Sequence, residues 1–342
     1  MNVLIICFSG ISNVASVVPL LDSLNRNYAQ HHFTVLSRSF LSPLFDSFEQ
    51  VDFVGADIRG EHKGFWGTLN LFNQLKSRKF DVILDLQGSW RTRFITRLFK
   101  LYGKRVHTVD KQRAETYQLV HRGAEKYKPL KTIFERYSDV FAKIGLKTDT
   151  KFEKLAPASA VCQQKVLDVY GKKQGTWIGI APLSIARGKT LPLRKTKNVI
   201  RHFDSQPNTK IFLFGAGELE NELLSDWQTI FEHVYAVHTS LQLGEELALM
   251  EQLDVMISMD SGNMHLAALT ATPVVSIWGA THPYAGFLGW KQSADTCVGV
   301  NFSCRPCTAH EDKKCHYGDY RCLESIASEN IIKKITYILE KK

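Results

Sequence analysis

One stretch, residues 254–279 (DVMISMDSGNMHLAALTATPVVSIWG), restricts what this chain can fold into more than any other. Residues 255–258 are an apolar run of strand length, and Met259-Asp260-Ser261-Gly262 breaks it with turn formers. Helix formers follow in residues 265–269, Pro273 ends that helix, and residues 274–278 read as a second buried strand. Strand, loop, helix and strand in so short a span make a βαβ crossover, so the two strands run parallel. Such units bind ligands at the carboxyl end of the first strand, where the loop meets the helix. Asp260, Ser261, Gly262 and His265 stand there. Gly262 lets a backbone come close to a ligand, and unpaired N–H groups at a helix start favour a phosphate. Asp260 and Ser261 also suit plain helix capping, and the residues alone leave both readings open.

The rest of the chain repeats the alternation. Residues 3–8, 33–37, 51–54 and 82–86 are short apolar runs, each followed by polar or helix-like sequence. The same holds for residues 177–182, 210–214 and 234–237 in the second half. That pattern predicts doubly wound α/β domains. Residues 14–27 read as a helix whose Pro19 kinks it or marks a late first turn. At 342 residues there is room for two domains. The polar, aperiodic residues 148–161 are the expected linker. We therefore place one domain at 1–155 and a second at 156–325, with a final amphipathic helix at 326–342 that packs back on the first.

Composition narrows the function classes. Hydrophobic residues make up 44% and charged residues 23%, as in a soluble globular protein. No apolar run reaches the ~18 residues that a membrane span needs. The opening MNVLIICFSG lacks a basic leader segment and a small-residue cleavage site, so it is expected to be a strand of a cytoplasmic protein. The net charge of +9 calls for an anionic partner. Nucleic acid is not expected, because no zinc-finger spacing, RNA-binding aromatic motif or basic heptad is present. Residues 91–147 are rich in Lys and Arg with Trp90, Phe94, Phe99, Tyr102, Tyr117 and Tyr127 interleaved. This is either a solvated helical surface or a face for an acidic, membrane-held acceptor.

Asp260-Ser261-Gly262, His265, the alanine-rich helix, Pro273 and Gly279-Ala280-Thr281-His282-Pro283 together resemble the signature of glycosyltransferase family 9, the lipopolysaccharide heptosyltransferases. Phe8-Ser9-Gly10-Ile11-Ser12-Asn13-Val14 resembles the family's loop after its first strand, with two departures: Ser12 for a glycine and Asn13 for an aspartate. The resemblance implies GT-B architecture, two Rossmann-like domains with parallel sheets facing a cleft. It implies inverting transfer of a sugar from a nucleotide-sugar donor, with ADP-heptose expected, to an anionic glycolipid acceptor of the lipopolysaccharide core. Ser184, Lys189, Glu218, Leu241, Asp260, Ser261, Gly262 and His265 are the implied donor residues. Lys189 would offset the diphosphate, Ser184 would donate to a phosphate oxygen, Glu218 (or Glu220, since the loop length varies) would meet the ribose, and Leu241 would line the adenine pocket. Ser9, Gly10, Asn13, Gln87 and Arg91 are the implied acceptor residues. Asn13, Lys189 and Asp260 form the implied catalytic set.

Asn13 matters most among the departures. The family's aspartate is its proposed general base, and an amide cannot take a proton near neutral pH. Asn13 can orient an acceptor by hydrogen bonds, or simply cap a helix. Asp85, at the end of the strand facing the expected cleft, is the carboxylate candidate to stand in for the missing base, although a structural role at the strand end suits it better. No cofactor and no metal is expected, since GT-B enzymes stabilise the leaving diphosphate with basic residues and helix dipoles. Cys304, Cys307, Cys315 and Cys322, with His310 and His316 nearby, leave a structural zinc site open on spacing alone. Cys7 and Cys162 read as small buried hydrophobes. The expected protein is a monomer in peripheral contact with the cytoplasmic face of the inner membrane.

Overall fold

The computed structural model describes residues 1–309 and 313–341. The chain divides into two compact units. The first comprises Met1–Lys111 and Ile133–Glu153, the second Gln112–Thr132 and Lys154–Lys342.

The first unit holds β1 (Asn2–Ile6), β2 (His32–Arg38), β3 (Val51–Ala56), β4 (Val82–Asp85) and β5 (Arg105–Thr108), in the order β3-β2-β1-β4-β5. The second unit holds β6 (Thr176–Ala181), β7 (Thr209–Leu213), β8 (Val234–Ala236), β9 (Val255–Met259), β10 (Val274–Ile277) and β11 (Cys297–Val298), in the order β11-β10-β9-β6-β7-β8. Every strand pair in both sheets is parallel. The α/β fold with two Rossmann-like sheets follows as the sequence predicts. Parallel strands covered on both faces must be apolar throughout, which is why residues 3–6 and 255–259 are fully buried runs. β5 and β11 escape the sequence reading. Arg-Val-His-Thr looks like part of the basic stretch, and two residues are too few to show a period.

Strand order locates the sites. In each sheet the first strand has neighbours on both sides, and the chain reverses its direction of travel there. The reversal falls between β1 and β4 in one unit and between β6 and β9 in the other. Loops leaving the carboxyl ends of such a strand pair diverge and leave a crevice for a ligand.

Three local outcomes differ from the sequence reading. The expected helix at residues 14–27 is two helices, Ile11–Ala15 and Val18–Asn27, with Pro19 in the opening turn of the second, where its missing N–H costs nothing. The segment 112–132 joins the second unit although it precedes the expected linker. Leu119 and Leu130 are buried there with Ala285 and Ala309, and the Leu130 N–H bonds the Tyr284 carbonyl at 2.8 Å. The last helix, Ser328–Glu340, expected to pack back on the first domain, is part of the second unit: Ile331 and Ile335 are fully buried in that unit's main core, and Lys195 Nζ bonds the carbonyl of Ile326 just ahead of the helix. Its apolar stripe has the helix Leu193–Asp204 and strands β9 and β10 as partners, so the hydrophobic gain is local to that unit. Ile335→Ala should therefore lower stability by about 2–5 kcal/mol. Tyr337→Ala, on the exposed side of the same helix, should cost about 0.5 kcal/mol or less, as read by urea unfolding.

Candidate active site

The second unit concentrates charge at its reversal point. The loop after β6 runs through Ser184, Arg187 and Lys189, and the loop after β9 through Asp260 and Ser261. Thr190 ties the first loop into a compact turn. Its hydroxyl accepts from the Ser184 N–H at 3.2 Å and lies 3.2 and 3.3 Å from the carbonyls of Ser184 and Ala186. Arg187 braces the same turn, donating to the Thr190 carbonyl at 3.0 Å and lying 5.0 Å from the centroid of the Tyr320 ring. Gly188 allows the turn to sit on the strand edge. Its carbonyl accepts the Ala280 N–H at 2.8 Å, and a Cβ at Gly279 would stand 2.5 Å from that oxygen.

This turn aims Lys189 at Asp260. Nζ lies 2.8 Å from Oδ2, with side-chain exposures of 12% and 7%. The same oxygen accepts the Thr281 hydroxyl at 2.8 Å. Asp260, Lys189 and Thr281 thus form one buried unit built from three loops. The ammonium carries three donors and the carboxylate oxygen engages one, so Lys189 can hold a phosphate oxygen without leaving Asp260.

Asp260 and Ser261 do not cap the following helix, so the plain capping reading falls. Ser261 is in extended backbone geometry before Gly262–Leu269 and makes no side-chain cap bond; its hydroxyl lies 3.1 Å from that of Ser258 instead. The first N–H groups of the helix are left to a ligand. His265 is buried one turn in, and neither ring nitrogen has a hydrogen-bond partner among the described residues. Burial is the main cause that lowers its pKa to about 4; Asp260 and the nearby Phe287 backbone favour the cation and Lys189 opposes it. The ring is therefore a neutral donor and acceptor close to both charges of the ion pair.

The remaining donor residues are less closely gathered. Glu218 is exposed at the start of the helix Glu218–Ile230. Glu220, the alternative, is spent locally, since Oε2 accepts the Ala216 N–H at 3.0 Å. Leu241 is buried, and Ser184 is half-buried. Sequence reasoning missed Thr281 and Thr190 as parts of the site, and it missed Arg305. The Arg305 guanidinium is buried and donates to the carbonyls of Trp278 and Thr281 at 3.0 and 2.9 Å, and to that of Val300. It pins the Cys304–Cys307 turn to the loop carrying Thr281. The sequence around it, Cys-Arg-Pro-Cys, was read only for whether its cysteines could bind zinc. All seven cysteines are free thiols, and among the described residues no three metal-ligating side chains converge. His310 lies outside the described residues.

In the first unit the loop after β1 is held from both sides. Arg38 donates to the carbonyls of Phe8 and Ser9 at 3.2 and 3.0 Å, and the Gln87 amide oxygen accepts the Phe8 N–H at 2.8 Å. Gln87 is therefore first a positioning residue, with its oxygen committed. Asp85 fixes Gln87 in turn: Oδ1 accepts the N–H groups of Gln87 and Gly88 at 3.0 and 2.8 Å. Gly88 takes φ +60, which suits glycine there. Asp85 is fully buried, and burial raises its pKa. It holds the turn rather than facing solvent. Asn13 lies within the helix Ile11–Ala15, half-exposed, so it is not a cap either; Gly10 precedes the helix and is exposed. Arg91 lies 5.2 Å from the Trp90 ring centroid, and its buried Nε has no hydrogen-bond partner among the described residues.

Removing one charge of the Lys189–Asp260 pair strands the other. Lys189→Met should destabilise by about 3–5 kcal/mol, and adding Asp260→Asn should recover much of that, as a double-mutant cycle in urea will read. His265 sets an acid limit. The unfolded chain takes up its proton near pH 6.5, whereas the folded ring resists until about 4. Stability is thus complete above about pH 6.5 and is lost as pH falls towards 4, by roughly 3 kcal/mol at most. The difference between wild type and His265→Gln should show this loss, since His282, also lowered to about 4, adds to the fall and Glu246, raised by burial to about 7, acts in the opposite sense over the same range.

Comparison with known proteins gives this geometry a family. The model of glycosyltransferase family 9 (heptosyltransferase) matches residues 68–318, well over half of the chain. Lipooligosaccharide heptosyltransferase 2 of Campylobacter jejuni is 27% identical over 134 residues, 38% of this chain and 41% of the relative, so the match spans about two fifths of that protein. The solved family 9 glycosyltransferase of Veillonella parvula shares the fold over 100% of this chain and 98% of its own, with TM-score 0.78 at 17% identity. The Escherichia coli ADP-heptose lps heptosyltransferase II does so over 100% and 99%, with TM-score 0.70 at 15% identity. The chain belongs to glycosyltransferase family 9, the heptosyltransferases.

Proposed function

We propose that the protein transfers heptose from ADP-heptose to a lipopolysaccharide-core or related glycolipid acceptor, with inversion at the anomeric carbon. The observation that carries this reading is the buried Lys189–Asp260–Thr281 unit beside an uncapped helix start. A diphosphate leaving group needs positive charge and N–H donors that are in place before the bond breaks. Lys189 supplies the charge, and Asp260 and Thr281 hold it in one orientation. The N–H groups at Ser261 and Gly262 and the neutral His265 supply uncharged donors. Ser184 adds a hydroxyl, Glu218 meets the ribose and Leu241 backs the adenine. Names of relatives support the substrates: one is a lipooligosaccharide heptosyltransferase and another carries ADP-heptose in its name.

In the transfer, an acceptor hydroxyl attacks the anomeric carbon from the face opposite the diphosphate. The glycosidic C–O bond to ADP breaks, ADP takes the electron pair, and the hydroxyl proton goes to a base. The second unit binds the donor, and the first binds the acceptor through Ser9, Gly10, Asn13, Gln87 and Arg91. No metal ion or cofactor takes part. The enzyme works as a monomer at the cytoplasmic face of the inner membrane. Among the described residues no helix is long and apolar enough to cross a membrane.

A second reading is favoured by one observation: Asn13 has no titratable group, and Asp85 is buried in a turn. In that reading the protein binds nucleotide sugar or glycan without efficient transfer. Turnover of ADP-heptose with a de-acylated core acceptor separates the two. Wild type should transfer, and Lys189→Ala should lose about 100-fold or more in kcat. Transfer by Asn13→Asp alone would establish the binding-only reading. Failure of ADP-heptose to bind wild type in calorimetry would remove the donor assignment.

A further inference from the structure

We propose that the exposed aromatic and basic face formed by the helices Gly64–Lys76 and Trp90–Leu101 docks the protein on a bilayer of anionic phospholipid. The two helices lie side by side on the first unit's sheet, following β3 and β4. Their inner faces are ordinary core: Leu71, Phe72, Leu75, Ile95 and Phe99 are buried. Their outer faces are not ordinary surface. Trp66 is 77% exposed, Trp90 62% and Phe65 52%, and Leu101 and Tyr102 are exposed at the far end. The rings are grouped. Phe65 lies 5.4 Å from Trp66 and 4.8 Å from Phe94, centroid to centroid. A cluster of this kind left in water is a site for something apolar.

Charge decides what that something is. Neither helix contains an aspartate or glutamate, while Lys76, Arg91, Arg93, Arg97 and Lys100 are all basic. Arg93, Arg97 and Lys100 are exposed. A protein partner or a second copy of this chain would have to offer a large acidic and apolar surface together. A bilayer offers both at once, since tryptophan settles at the headgroup level and anionic headgroups attract Lys and Arg. Trp66 and Trp90 sit in the first turns of their helices, the end nearest the carboxyl edge of the sheet. That edge also carries the loop 8–13 and Gln87. Docking there presents the acceptor-side loops to a headgroup that stays in the membrane. This last point rests on the proposed acceptor, whereas the docking face itself rests on exposure and charge.

The experiment uses the full-length protein with vesicles of phosphatidylcholine, with and without phosphatidylglycerol, read by co-sedimentation and tryptophan fluorescence. Wild type should bind the anionic vesicles, with a blue shift, and salt should release it. Trp66→Ser/Trp90→Ser and, separately, Arg97→Gln/Lys100→Gln should each weaken binding about tenfold or more, while neither binds neutral vesicles. All four positions are outside the core, so the variants should unfold at the same urea concentration as wild type. The proposal is overturned if wild type ignores anionic vesicles, or if both variants bind like wild type. It is overturned equally if the tryptophan variant binds vesicles normally but loses turnover of the de-acylated acceptor, which would make the face an acceptor subsite. Self-association of wild type without vesicle binding, abolished in the variant, would give the face to a second copy instead. ADP-heptose calorimetry runs alongside: vesicle binding without donor binding would keep this proposal and remove the proposed donor.

Discussion

The contact between Lys189 and Asp260 is the one on which the second unit's chemistry depends. Two opposite charges at 2.8 Å, both nearly excluded from water, are costly to place and costly to break. The fold accepts that cost only because three loops converge there. Thr190 folds the lysine loop onto itself, Gly188 and Gly279 let it close against the strand edge, and Thr281 shares the carboxylate oxygen. Arg305 then holds the Thr281 loop by its carbonyls from behind. Charge for a leaving diphosphate is thereby set in advance, so binding does not have to organise it.

The two units solve one problem twice. Each reverses its winding at its first strand, and each places the loops with chemistry at that reversal. What fills the crevice differs. In the second unit it is an ion pair and a neutral imidazole. In the first it is a chain of positioning bonds, Asp85 to Gln87 to Phe8, that holds the Ser9–Asn13 loop. Two titratable groups behind this loop, Cys7 and Tyr137, are buried. Cys7 is pushed up to about 12 by burial, and Tyr137 beside it is pushed up as well. A rigid loop bearing an amide suits orientation of a sugar hydroxyl more than removal of its proton.

Much of the fold was legible in the sequence because parallel strands buried on both faces must be continuous apolar runs, and nearly every such run became a strand. The residue types at the donor site were legible too, through the long ordered motif from Asp260 to Pro283. What escaped was whatever depends on partners distant in the chain. Arg305 reads as one more basic residue until its three carbonyls are seen. That the Gln87 amide oxygen accepts the Phe8 N–H, leaving its NH2 to an acceptor, is visible only in the fold.

By itself, then, the sequence determined the class of fold, the parallel pairing and the loop that carries Asp260, because periodicity and turn chemistry are local properties. Tertiary structure alone decided that Lys189 and Asp260 form a pair, that Ser261 leaves its helix uncapped and that segment 112–132 and the last helix belong to the second unit. Those outcomes turn on competition among side chains for the same buried space and the same hydrogen-bonding atoms, which no stretch of sequence can settle before the chain has folded.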